Sequence, residues 1–156
     1  MGEIEYRVLK QVTPEDVAAM AELYRENRWI GPEDSAEFIA KGMLDAAVAV
    51  AAYSDGKLIG MGRALSDGVS DAYLQDIAVS TAFRRRGIGG GIVRTLVAEL
   101  RRNGVDWIAL VGEPGTESFY RELGFKPEPA CTFWKLPPDK VFRHYPAPAP
   151  CRSGSR

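Results

Sequence analysis

Along the first third of the chain, apolar and polar residues alternate at strand period, then at helix period, then merge into a continuous apolar run. Residues 4–10 have the composition of a first strand. Thr13-Pro14-Glu15-Asp16 reads as a helix start: a hydroxyl at the N-cap, proline in the first turn, acids at the positive end of the dipole. Val17, Met20, Ala21 and Tyr24 follow at helical spacing, and that helix is expected to end near Asn27. Trp29-Ile30-Gly31-Pro32 breaks it. A second short helix is predicted from Pro32-Glu33-Asp34, turning Phe38, Ile39 and Met43 inward. Residues 46–53 are small and apolar throughout, as in a buried strand. Asp55-Gly56 then centres a hairpin turn that returns residues 58–65 as the partner strand. After Ser66-Asp67-Gly68, residues 71–79 form the next strand. Simple alternation puts Asp71, Tyr73, Gln75, Ile77 and Val79 on one face and Ala72, Leu74, Asp76 and Ala78 on the other.

The second half opens on Arg84, Arg85 and Arg86, followed by Gly87, Gly89, Gly90 and Gly91. Ile88, Ile92, Val93, Leu96, Val97 and Leu100 then make an amphipathic stripe, closed by Gly104. A short buried strand is predicted over 107–111. A short helix over 114–123 should turn Phe119, Tyr120 and Leu123 inward, and a last strand or strand pair should fill 125–136. The segment P-A-P-A-P-C-R-S-G-S-R, residues 146–156, reads as a disordered tail, leaving residues 1–145 as one domain. Hairpin-linked strands followed by a strand–loop–helix–strand unit imply a mixed sheet with helices on its faces. Its ligand crevice should open at the carboxyl end of the strand before the glycines.

Composition narrows the function classes. A formal net charge of −1 argues against a general nucleic-acid binder. Cys131 and Cys151 supply no disulfide framework and no zinc spacing, and with a single histidine, His144, no metal site is expected. The first ten residues have no apolar core of a signal peptide, and no apolar run approaches the roughly 20 residues of a membrane span. A cytoplasmic, non-membrane setting is the default expectation.

A glycine-rich turn between a strand and a helix N-terminus is an anion site, because the first helical N–H groups have no partner within the helix. A phosphate or pyrophosphate is the expected guest. The Walker pattern fails for want of Lys-Ser/Thr after the glycines. The dinucleotide pattern fails because Ile92 stands where its third glycine belongs. A nucleotide-binding domain using the same turn stays open as an alternative.

Arg84-x-x-Gly87-x-Gly89 resembles the Q/R-x-x-G-x-G/A acetyl-CoA signature of the GNAT superfamily of N-acetyltransferases. Ile77-Ala78-Val79 resembles the strand end that precedes it in that family, and Tyr120-Arg121-Glu122-Leu123-Gly124-Phe125 resembles the Y-x-x-x-G-F that follows. The resemblance runs in element order over residues 4–136 and is sharp over 73–125. It implies an α/β GNAT fold: a mixed, mostly antiparallel central sheet of about 6–7 strands flanked by about four helices, with two strands splayed around the pantetheine arm. It also implies acetyl-CoA as co-substrate. Ile77 and Val79, with Ala78 between them, would pair with pantetheine through their main chain. The N–H groups of Arg85, Arg86, Gly87, Ile88, Gly89 and Gly90 would take the pyrophosphate. The side chains of Arg84, Arg85 and Arg86 would reach phosphates or remain in water.

By the same resemblance, Tyr120 is the proton donor to the departing thiolate. The family's asparagine seven residues before it is replaced here by Glu113, so Thr116 or Ser118 would supply that contact. The region around Tyr24 and Trp29 would wall the acceptor pocket; both residues also read as core cover. Relatives with a clear base carry it at the positions of Tyr73 and Gln75, which are poor bases and are taken as acceptor-lining residues. Asp71 through a water, or Asp76 if a bulge re-aims it, are the candidate bases, and two acids near a mouth equally attract a cationic amine. Cys131 as an acyl carrier has no evident histidine partner.

The implied activity is direct attack of a primary amine, expected on a small molecule, on acetyl-CoA. A peptide or protein acceptor and a non-catalytic acyl-CoA sensor are the alternatives. A homodimer is left open.

Overall fold

The computed structural model of the chain describes residues 2–136; His144, Cys151 and the expected tail lie outside them. The contact pattern divides the chain after Lys126. The first unit holds all the regular elements: β1 (Glu5–Val8), α1 (Pro14–Glu26), α2 (Glu37–Leu44), β2 (Val48–Ser54), β3 (Lys57–Ser66), β4 (Asp71–Val79), α3 (Ile88–Arg102), β5 (Trp107–Leu110) and α4 (Glu117–Glu122). The second, within its described residues 127–136, has a turn in which Cys131 N–H donates to Glu128 C=O, and no helix or strand. The strand expected over 125–136 is therefore absent among the described residues, and the sheet has five strands rather than six or seven. The expected domain end at residue 145 lies outside the described residues.

Strand order is β1-β2-β3-β4-β5, antiparallel except for the parallel β4–β5 pair. Thr13 caps α1: Asp16 N–H donates to Thr13 Oγ1, and Thr13 N–H donates to Asp16 Oδ2, both at 3.1 Å. This reciprocal pair satisfies two donors that the helix start leaves open. The Asp55-Gly56 turn has φ of 49° and 74°, the left-handed pair that a two-residue hairpin needs. α2 begins later than its Pro32 signal, at Glu37, because Asp34 is spent on the turn, accepting from Gly31 N–H at 2.6 Å. Phe38 is 52% exposed, against expectation, while Ile39 and Met43 are buried as the helical stripe requires.

The sheet separates two cores. On one face α1 and α2 pack Met20, Leu23, Ile39 and Met43 against Ala49, Ala51 and Met61. On the other α3 packs Ile88, Ile92, Leu96 and Leu100 against Val50, Ile59 and Leu74. Burying each Val, Leu, Ile or Met side chain there contributes about 1.5–3 kcal/mol. β5 was expected to be buried, yet Trp107 is 51% exposed: as the edge strand it is covered on one side only.

α3 lies close to the sheet because glycines face it. A Cβ on Gly91 would overlap the Tyr6 ring. Alanine at a helical position is ordinarily favoured over glycine by about 1 kcal/mol. Here the overlap is expected to reverse that sign, so Gly91→Ala should lose about 1–3 kcal/mol in urea denaturation. In a Tyr6→Ala background the same substitution should stabilise.

Candidate functional site

β4 and β5 pair only from Asp71↔Trp107 to Leu74↔Leu110, yet β4 runs on to Val79. Beyond Leu74 the two strands part, and the edge of β4 facing away from β3 has no strand beside it. The other edge stays paired through Met61↔Ala78 and Gly60↔Val79. The expected splay is therefore present.

The same stretch carries a bulge. Between Arg63↔Gln75 and Met61↔Ala78, two steps on β3 face three on β4. The extra residue is Asp76, with φ of 56°. The bulge overturns the simple alternation: Ala72 and Leu74 face α3, but so do Ile77 and Val79, while Ala78 packs with α1. Asp76 is swung to the α1 side. There its Oδ2 accepts from Tyr24 O–H at 2.8 Å and forms a short ion pair with Arg63 Nε. Arg63 also donates to Gly42 C=O of α2 and to Gln75 Oε1. Burial first, and then the bond to Asp76, hold the Tyr24 phenol well above its ordinary value.

The loop after β4 is tied to α1. Glu26 Oε2 accepts from Thr81 N–H at 2.7 Å and from its hydroxyl at 2.8 Å; Oε1 accepts from Ser80 Oγ at 3.2 Å. Burial opposes the Glu26 charge, but these donors and Arg84 keep its carboxyl below the usual range. Arg85 and Gly87 take positive φ, 59° and 75°, to turn the chain into α3. The first helical bond runs from Gly91 N–H to Gly87 C=O, and no side chain caps the helix. The N–H groups of Ile88, Gly89 and Gly90 therefore precede the helical ladder at the positive end of the dipole, where an anion is stabilised. Arg84 turns back: its Nε donates to Val79 C=O at 3.0 Å and its Nη2 to Asn27 Oδ1 at 3.3 Å. The Arg86 guanidinium lies 5.5 Å over the Phe83 ring.

Two cavities open on the splay. One, of about 730 Å³, is lined by Ile77, Ala78 and Val79, by Arg84, Arg85 and Gly87–Gly90, and by Thr116 and Tyr120. It gathers every residue expected to hold the co-substrate except Arg86 and Ser118, the alternative to Thr116. The other, of about 360 Å³, is lined by Trp29, Tyr73 and Gln75, the expected acceptor residues, and by Asp76. Asp71, the first residue of β4, lines neither; Ser70 O–H donates to its Oδ1. Asn27, Ile77, Glu113, Thr116 and Tyr120 line both. Asn27 gave no sequence signal beyond ending α1; its role follows from where that helix stops.

Tyr120 stands edge-on to Phe119 and Phe125, with centroids 4.9 and 5.9 Å away. Burial raises its phenol above the ordinary value, and the negative charge of Glu113 raises it further. Glu113 reaches across the gap, where Trp29 Nε1 donates to its Oε1 at 2.9 Å. The Glu113 carbonyl accepts from Thr116 N–H and Oγ1 at 3.1 and 2.6 Å, which fixes the loop beneath that carboxylate.

This arrangement agrees with the comparison to protein families: the model described as acetyltransferase (GNAT) family matches residues 15–125. The chain belongs to the GNAT family. Acetyltransferases of the GNAT family use acetyl-CoA as co-substrate. The chain is 40% identical over 79 residues to serotonin N-acetyltransferase 2, chloroplastic, of Oryza sativa subsp. japonica, covering 51% of this chain and 40% of that protein. It is 33% identical over 73 residues to histone acetyltransferase TAP1 of Glycine max, covering 47% and 29%. It thus spans less than half the length of these curated relatives. Among solved structures, aminoglycoside N-acetyltransferase AAC(6′)-Iy in complex with CoA superposes with a TM-score of 0.69 at 18% identity, covering 87% of this chain and 96% of that one, a likeness of fold. Among the described residues no helix is long and apolar enough to cross a membrane.

The GNAT site's bulge rests on the Tyr24–Asp76–Arg63 cluster, which gives two expected outcomes. Asp76→Ala leaves Arg63 half-buried without its carboxylate and should cost about 2–3 kcal/mol, short of the roughly 3–5 kcal/mol for a fully buried pair. Tyr24→Phe should cost about 1 kcal/mol at pH 8. The Tyr24 phenol is raised in the folded state, so its contribution is complete below its unfolded value near pH 10 and is lost as pH climbs beyond it. Urea midpoints at pH 8 and pH 10.5 should show the Tyr24→Phe deficit shrinking.

Proposed function

We propose that this chain is an acetyl-CoA-dependent N-acetyltransferase that acetylates a primary amine of a small molecule by direct attack. The observation that carries the reading is the position of Tyr120 on the wall common to both cavities. A group there reaches the boundary between a bound thioester and an incoming amine, where the leaving sulfur needs a proton.

The residues fit acetyl-CoA. The free edge of β4 at Ile77–Val79 offers main-chain donors and acceptors to an amide-bearing arm, as an added strand would. The uncapped N–H groups of Ile88, Gly89 and Gly90 suit a diphosphate. When bound, the co-substrate supplies an activated acetyl group; the chain supplies position and proton. Tyr120, protonated at neutral pH, donates to a thiolate whose thiol has a pKa near 8.5. The acceptor cavity of about 360 Å³, with Trp29, Tyr73 and Gln75 on its walls, favours a small acceptor over a folded protein surface. One relative's name carries a small amine, serotonin, and another's a protein, histone, so acceptor size is what the assay must decide.

A panel of small amines and a lysine peptide, followed by release of free CoA, tests the reading. Turnover confined to the small amines is expected; turnover of the peptide alone would replace the acceptor class, and none at all would leave an acyl-CoA sensor. Tyr120→Phe should lower kcat by about 10²–10³-fold while CoA affinity, measured by calorimetry, stays within about twofold.

A further inference from the structure

Two carboxylates face the acceptor cavity, Asp76 and Glu113, and the structure treats them differently. Asp76 is neutralised: Arg63 pairs with it and Tyr24 donates to the same oxygen. Glu113 has no basic partner among the described residues; its carboxylate accepts only from the Trp29 indole N–H, a neutral donor. Its main chain is nevertheless held, because Thr116 donates twice to its carbonyl. It also lines both cavities, which Asp76 does not. A carboxylate with no cation paired to it among the described residues, on a main chain held by Thr116, thus stands where the two cavities meet.

From this we infer that Glu113 selects the acceptor by its charge: it receives the ammonium group of a primary amine whose flat, apolar body lies between Trp29 and Tyr73. The rings support the second half of the statement. Trp29 stands edge-on to Tyr24 at 5.2 Å, Tyr73 edge-on to Trp107 at 5.4 Å, and Tyr73 remains 48% exposed on the cavity side of the sheet. An ammonium beside such rings gains from their negative faces as well as from the carboxylate. Its arrival also offsets the Glu113 charge that burdens Tyr120, which eases loss of the phenol proton once the acceptor is seated. A neutral asparagine at this position, the residue in the family pattern, could not do this.

The inference rests on the acceptor assignment above but is tested by binding alone. The probes are 2-phenylethylamine and its neutral counterpart 2-phenylethanol, titrated by ligand-observed NMR into the protein with and without CoA. The wild type should bind the amine at least tenfold more tightly than the alcohol. Glu113→Gln should remove that preference and leave the alcohol's affinity and the CoA affinity within about twofold. Trp29→Phe removes the indole donor but keeps the carboxylate, so the preference for the cation should survive even if both affinities fall. A preference that persists in Glu113→Gln, or one that Trp29→Phe abolishes equally, would overturn the proposal, as would a wild type that binds both probes alike or binds neither. Failure of the acetyltransferase reading shows separately, as a wild type that prefers the cation yet releases no CoA with any amine.

Discussion

The one extra residue in β4 governs the rest of the site. A strand of nine residues whose neighbours both pair along its whole length would close the sheet and leave nowhere for a ligand. Here the bulge at Asp76 twists the end of the strand, and pairing with β5 stops at Leu74, just before it. Past that point the backbone groups of one β4 edge have no strand to satisfy them. A free edge inside a cleft is what an extended, amide-bearing ligand can complete. The bulge also inverts which residues face which core. It puts Ile77 and Val79 under α3 and releases Asp76 to the α1 side, so one local distortion sets up both cavities.

Holding a non-glycine residue at positive φ costs free energy, and the structure shows what offsets it. Asp76 is anchored by Tyr24 from α1 and by Arg63 from β3, and Arg63 is itself anchored to α2 through Gly42 C=O. Three elements thus converge on one carboxylate. Strain of about 1–3 kcal/mol is sustained where surrounding contacts over-determine the conformation. A carboxylate so engaged is poorly suited to act as a free base, and that separates Asp76 from Glu113 although both face the same cavity.

Most of the architecture was legible because it is carried by short-range signals. The Thr13–Asp16 cap, the Asp55-Gly56 turn, the α3 stripe and the limits of β4 each follow from residues within a few positions of one another. Legibility failed where the cause is non-local. The period of β4 breaks at Asp76, and nothing adjacent announces it; the reason is Tyr24, 52 positions away. The start of α2 was misplaced because Asp34, a helix-start residue by type, is consumed by the turn at Gly31. Phe38 reads as core by spacing, but it meets the edge of the Tyr24 ring at the surface rather than the sheet. The residues that line the two cavities were largely recoverable, since the glycine loop, Ile77–Val79 and Tyr120 occupy motif positions. Glu113 was visible only as a departure from a pattern; its bond to Trp29 spans 84 positions and needs the fold.

The arginines carry a further lesson about anion sites. Three consecutive cations beside a glycine turn invite the idea that side-chain charge holds the phosphate. Yet Arg84 is directed inward, bonding Val79 C=O and Asn27, and so buttresses the loop rather than the ligand. The guanidinium of Arg86 lies over Phe83. The main chain contributes the N–H groups at the start of α3, oriented by the positive φ of Arg85 and Gly87, while Arg85 and Arg94 also line the cavity. Backbone donors are pre-oriented and lose little entropy on binding, whereas a mobile arginine must be ordered first. The glycines then have a purpose beyond flexibility. Gly91 lets α3 approach Tyr6, which fixes where the helix starts and therefore where its free donors point. On this account the placement of the candidate anion site is set where α3 meets the edge strand β1, on the helix's own face of the sheet.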